Sequence, residues 1–179
     1  KEVLAEMDQF LTHERCLAVG EIGHDDITEA EDYALHEQIE MAKKHNLPIM
    51  VHTPHRNKGK GVERTIEIFK EHDFPIERTL IDHQIEETIG LCREYGCWAG
   101  HTVYPITKLT PERFVNIIDE HGTDRMMVNS SADWGKSDPL SVPRVVVEMR
   151  KRGYTTEQIR KVVWDNPVAF YSQSGRLKL

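Results

Sequence analysis

Four short apolar runs, each ending on a residue type that can hold a metal, constrain this chain more than any other feature. In order they are Ala18-Val19-Gly20-Glu21, Pro48-Ile49-Met50-Val51-His52, Leu80-Ile81-Asp82-His83 and Met126-Met127-Val128-Asn129, the last running on through Ser130 and Ser131 to Asp133. Runs of this length, β-branched or Met-rich, suit strands covered on both faces, as in parallel sheets. Parallel barrels and sheets deliver residues from the carboxyl ends of their strands to one face, where such folds keep their active sites. Glu21, His52, His83 and Asp133 are therefore expected to meet.

The segments between these runs read as helices. Thr28 and Glu31 form a capping-box pair ahead of a helix to His45, Asn46 ends it, and Pro48 opens the next strand. Further helices are expected over 62–72 after a polar loop, and over 85–95 with Gly96 as the stop. Others follow from Thr110-Pro111-Glu112 to His121 with Gly122 behind it, over 139–152, and over 155–164, with a last turn at 166–171. An extra strand over 97–103 falls between His83 and Asp133, giving five strands. An amphipathic helix over 1–13 carries Val3, Leu4, Met7, Phe10 and Leu11 at helical spacing, with no cap before it. Strands alternating with helices of this length indicate an α/β fold with a parallel sheet.

At 179 residues the chain suits one domain, 1–179. A net charge of −7 argues against a surface built throughout to hold a nucleic-acid backbone, while leaving room for a local basic pocket. Cys16, Cys92 and Cys97 show no CxxC spacing, which points away from a disulfide framework and towards a reducing, cytoplasmic setting. No apolar run approaches the roughly 20 residues that span a bilayer, so no membrane partner is expected. The charged start does not read as a signal peptide.

Val19-Gly20-Glu21-Ile22-Gly23, Val51-His52-Thr53-Pro54, Ile81-Asp82-His83 and Ser131-Ala132-Asp133-Trp134 together resemble the TatD-related branch of the metal-dependent amidohydrolase superfamily. The terminal Trp164-Asp165-Asn166-Pro167-Val168-Ala169-Phe170 is similar to the Asn-Pro-Ala-Arg-Phe type of final helix in that family. The resemblance implies a (β/α)8 TIM-barrel fold. In the family, ligands come as His-x-His on the first strand, Glu on the fourth, His on the fifth and sixth, and Asp on the eighth. The present order matches strands four to eight, the C-terminal five β/α units. No His-x-His occurs in the chain, and three further units would need about 80 to 100 residues, judged from roughly 250 for a whole barrel. The chain is thus expected to be the C-terminal portion of a larger hydrolase, its N-terminal barrel segment lying outside it; alone it would leave sheet edges open.

By the same resemblance, Glu21 bridges two divalent ions, His52 and His83 hold one of them, and Asp133 with the absent His pair holds the other. Zn²⁺ is the first expectation, with Mn²⁺ or Mg²⁺ as alternatives and one or two ions bound. A metal lowers the pKa of bound water towards about 7, and Asp133 would take its proton. The implied activity is hydrolysis of a phosphodiester or similar ester, with a small-molecule or single-stranded nucleic-acid substrate, in the manner of a deoxyribonuclease or phosphoesterase. Two alternatives stand beside it: a small-molecule amide or lactone hydrolase, and a degenerate barrel that binds a metabolite or partner without catalysis.

Substrate contacts are expected from residues on the same rim. His24 follows the Glu21 strand beside Asp25 and Asp26. The stretch His55-Arg56-Asn57-Lys58-Gly59-Lys60-Gly61 puts cations and glycines beside a helix start, which suits a phosphate or carboxylate, with His55 and Arg56 foremost. His101 and Tyr104 end the extra strand. Read singly, each is as well explained by solvation or by core packing. His13, His36, His45, His72 and His121 lie among charges on helices and read as surface residues.

Overall fold

Side-chain alternation along five strands sorts the residues of this chain onto two faces, and that sorting places the site. The computed structural model of the protein describes residues 2–131 and 136–179. Strands β1 (Val19–Gly23), β2 (Ile49–His52), β3 (Thr79–Ile81), β4 (Trp98–Val103) and β5 (Met126–Ser130) lie side by side in chain order. All four pairings are parallel. Helices return the chain between strands, as parallel pairing requires. They are α2 (Glu29–His45), α3 (Lys58–Glu71), α4 (Ile89–Tyr95) and α5 (Pro111–His121). After β5 follow α6 (Ser141–Lys151), α7 (Thr156–Arg160) and α8 (Asn166–Ser172), and α1 (Glu2–Phe10) precedes β1.

One face carries Val19, Ile22, Ile49, Val51, Ile81, Ala99, Val103, Met126 and Val128, all buried beneath the helices. The alternate residues Met50, Leu80, Trp98 and Met127 look the other way and pack with Phe170 of α8. The Trp98 and Phe170 rings meet edge to face at 5.7 Å. Phe69, Phe114 and Phe170 are among the largest fully buried side chains, and truncating any of them to Ala would cost about 3–5 kcal/mol. On this second face, at the carboxyl ends of the strands, the polar residues gather.

Several helix boundaries follow the local chemistry as expected. Thr28 caps α2 through a complete capping box with Glu31, and Asn46 closes it at φ 52°. Thr110 caps α5 with Pro111 in its first turn. Others are corrected. α3 begins at Lys58 rather than at residue 62, because Asn57 at φ 51° turns the chain directly into the helix. Gly61 is needed there: a Cβ at that position would lie 2.3 Å from Cγ of Pro54. α4 begins at Ile89, not 85, since the Thr88 hydroxyl holds the Ile85 backbone in a turn. The helix expected over 155–164 stops at Arg160 and continues through a wider π turn, Lys161–Asp165, into α8. Pro167 has no N–H to return to the preceding turn, so the ladder shifts. In α1, Val3 and Phe10 are exposed, at 77% and 63%, while Leu11 just beyond the helix is buried; the apolar stripe there is covered only in part.

Candidate metal centre

Glu21 reaches the site through an irregularity in β1. Val19 pairs with Ile49 and Ile22 with Val51, so three steps on β1 oppose two on β2. A bulge of this kind puts both flanking apolar residues on the helix side and re-aims the side chain between them, which is why bulges recur beside active sites. His52 closes β2 on the face shared with Met50. His83 follows β3 by two residues, and its φ of 60° turns the ring back over the strand ends.

The three side chains converge. Glu21 Oε1 lies 2.6 Å from His83 Nε2 and 3.4 Å from His52 Nδ1. The two imidazoles stand edge to face at 5.0 Å. Among the described residues, Glu21, His52 and His83 are the one set of three ligand-type groups whose donor atoms all lie within 4.8 Å of each other. Each imidazole is also held at its far nitrogen. His83 Nδ1 pairs with Thr102 Oγ1 at 2.6 Å, and His52 Nε2 donates to Asp25 Oδ1 at 2.9 Å. Metal-binding histidines characteristically keep such a partner, which fixes ring orientation and tautomer. One carboxylate and two imidazoles presented this way fit a divalent cation of the Zn²⁺ or Mn²⁺ kind.

The electrostatics agree with a site built around a shared charge. Hydrogen bonds from His52 and then His83 hold the Glu21 carboxyl far below the usual carboxylate range, against the burial that would raise it. The Glu21 carboxylate in turn raises the His52 imidazole, with burial opposing and Asp25 assisting. Behind His83, Asp82 is buried and accepts from Asn129 Nδ2 at 3.1 and 2.9 Å and from the His83 backbone N–H at 2.7 Å. This pair reaches across β4 at Gly100, where a Cβ would sit 2.3 Å from Asp82 Oδ1.

A cavity of about 400 Å³ opens over the triad. Its wall includes His55, Thr102, Lys58, Lys108 and Arg113. A larger groove of about 560 Å³ lies between α3 and α4, lined by Phe69, Phe74 and Tyr95 among acidic residues, away from the triad.

Of the residues expected at the site, the structure brings together Glu21, His52, His83 and His55. Asp133 lies outside the described residues, as does Trp134. The remaining expected contacts are placed elsewhere. His24 is fully buried and pairs with Asp32 at 2.8 Å, and Asp32 in turn binds Arg64, so this imidazole ties the end of β1 to α2 and α3. His101 has the wrong parity: it points to the helix side, where its ring meets Phe114 at 5.2 Å and its Nδ1 donates to the Met127 carbonyl. Burial there pulls its imidazole down to about 4. Tyr104 is buried beyond the cavity wall, and Arg56 is exposed and does not line it. Wall residues that the sequence reading did not expect include Thr102 and Lys108, whereas Lys58 lies in the basic stretch 55–61 expected to suit an anion. Period-two alternation from His101 points to Thr102; nothing periodic marks the lysines.

A parallel α/β sheet that gathers Glu and two His at its strand ends defines a protein class in which the metal centre sits at the mouth of a barrel-type sheet. The chain belongs to the TatD related DNase family, which it matches over residues 1–172. It is 32% identical over 169 residues to an uncharacterized metal-dependent hydrolase of Methanocaldococcus jannaschii, covering 94% of this chain and 66% of that protein. Among solved structures it resembles the TatD-like protein of Archaeoglobus fulgidus, with a TM-score of 0.72 and 28% identity over 92% of this chain and 64% of that one. The fold also matches the phosphotriesterase homology protein of Escherichia coli, solved with phosphate in its active site, at a TM-score of 0.75 and 15% identity over 95% and 66% of the two chains. The chain thus spans slightly less than two thirds of the length of these relatives. No helix among the described residues is long and apolar enough to cross a membrane.

Proposed function

We propose that this chain carries part of the active centre of a divalent-metal-dependent hydrolase acting on a phosphodiester or similar ester, its five strands corresponding to the fourth to eighth of a TatD-type barrel. The observation that carries the reading is the convergence of Glu21, His52 and His83 at the strand ends beneath a cavity of about 400 Å³. When bound there, a divalent ion, Zn²⁺ before Mn²⁺ or Mg²⁺, supplies a water that ionises near neutral pH and a Lewis acid for the ester oxygen.

The chain's own residues do the rest. Glu21 Oε1, between both imidazoles, is the shared donor, and it stays ionised because the two rings hold it so. Thr102 and Asp25 fix the ring planes of His83 and His52. Asp133, four residues beyond Asn129, is assigned the role of proton acceptor during attack, passing the proton on to the leaving group. His55 in the cavity wall contributes to substrate binding. The three free thiols fit a reducing, cytoplasmic setting.

The test is a metal-supplemented screen of the full-length protein on phosphodiester, phosphomonoester, lactone and amide substrates, with Glu21→Gln and Asp133→Asn as controls. Ester turnover lost in both variants is the expected result. Turnover by Asp133→Asn equal to the parent removes Asp133 from its role, and equal turnover by Glu21→Gln removes the metal centre from the reaction.

A further inference from the structure

β2 and β4 flank β3, and the segment after each of them sends a lysine into the cavity over the triad. Lys58 opens α3, and its Nζ donates to Thr53 Oγ1 at 3.1 Å. Thr53 is buried and donates in turn to the Asp82 carbonyl at 2.8 Å, so Lys58 is anchored to the strand that carries His83. Lys108, in the loop after β4, places its Nζ 3.2 Å from His83 Nδ1. Both lysines line the cavity. Arg113 lines it too, but Glu86 neutralises that guanidinium through contacts of 2.9 and 2.6 Å. Among the described residues, neither lysine has a carboxylate within ion-pair distance, and Lys58 feels only the more distant charge of Asp82.

Two ammonium groups held close together and partly out of water repel each other and are poorly hydrated, an arrangement favoured only when an anion sits with them. The mutual effect is visible at Lys58: burial, and then Lys108, pull its ammonium down to about 8. Several other lysines are matched by carboxylates. Lys43 and Lys44 meet Glu40 and Asp8 at 2.8 and 2.7 Å, and Lys161 meets Asp124 at 3.2 Å.

We propose that Lys58 and Lys108 form a subsite beside the triad for a doubly charged oxyanion of the phosphate-monoester class, the charged end of the substrate. This rests on the metal-hydrolase reading and narrows it. Two positive charges outside any direct ion pair match a dianion better than the single charge of a diester. A neutral lactone or amide would leave both ammonium groups desolvated and unpaired, a penalty that discriminates against it. A cavity of about 400 Å³ holds a small molecule or a chain end, and a net charge of −7 provides no broad face for a duplex.

The test is calorimetric titration of the metal-loaded full-length protein with methyl phosphate and with dimethyl phosphate at about pH 7.5, where the monoester is a dianion. Metal content is measured on the same samples. Methyl phosphate is expected to bind roughly tenfold or more tightly than dimethyl phosphate, the worth of one charge-assisted hydrogen bond. Lys58→Met and Lys108→Met should each abolish that preference, while Lys60→Met, at an exposed position on α3, keeps it. If the variants hold metal and still prefer the dianion, or if Lys60→Met loses the preference as well, the subsite is overturned alone. If the parent protein binds no metal, the hydrolase reading falls first, and the two failures are distinct.

Discussion

His83 and Thr102 are bound to each other at 2.6 Å, imidazole Nδ1 to hydroxyl, which leaves His83 Nε2 aimed at Glu21. The hydroxyl comes from β4 and the imidazole from the end of β3, so the pairing of the two strands sets the direction of the ligand nitrogen. Thr102 is buried, so its hydroxyl is held in place beside the ring.

Thr102→Val should therefore weaken metal binding with little loss of fold. Removing the partner of a ligating histidine typically costs about 10- to 100-fold in affinity. Competition with a chromogenic chelator reads this directly, and Thr102→Ser should restore most of the affinity. An unchanged affinity in Thr102→Val would mean that packing alone orients the ring.

Gly100→Ala should destabilise the protein by about 1–3 kcal/mol, the usual cost of forcing atoms into a packed site. The new methyl would meet the Asp82 carboxylate, whose contacts to Asn129 join β3 to β5 across this residue. Gly90→Ala is the matched control: nothing lies within 4 Å of a Cβ there, and replacing a helical glycine gains about 0.5 kcal/mol. Urea denaturation of the pair should move the midpoints in opposite directions; parallel shifts would contradict the close approach at Gly100.

Lys58 gives a pH dependence of defined sign. Its ammonium titrates near 8 in the folded chain against 10.5 for an ordinary lysine. Between those values the unfolded chain binds more protons, so stability rises with pH, and below pH 8 the cost of the buried charge is fully present. Lys58→Met should be more stable than the parent at neutral pH, by on the order of 1 kcal/mol after allowance for partial exposure, and the gap should close as pH rises towards 10. Denaturation curves at both ends of that window decide it, and a gap that widens with pH would show that the ammonium is not penalised.

The strand ends were legible because buried parallel strands need continuous apolar runs, so a Glu or His terminating one is conspicuous. Glu21, His52 and His83 follow from that rule. The alternation that separates His101 from Thr102 was equally present in the sequence, but it takes effect only once the face towards the helices is known. The bulge at Gly20 and Glu21 depends on how β1 pairs with β2 and leaves no local trace. Lys58 was legible as one cation of the stretch 55–61, but its place at the start of α3 was not, because a glycine-rich stretch reads as a loop and only the contact of Gly61 with Pro54 shows why a helix tolerates it. Lys108 lies in an irregular segment positioned by the bridge between Val103 and Leu109.

The central claim is that Glu21, His52 and His83 hold one ion in common, and the direct measurement is bound metal per chain in the parent and in Glu21→Gln, His52→Ala and His83→Ala, with circular dichroism confirming the fold of each. The parent should retain at least one divalent ion through dialysis, and each substitution should release it. Equal metal content in all four proteins, or none in the folded parent, would contradict the account.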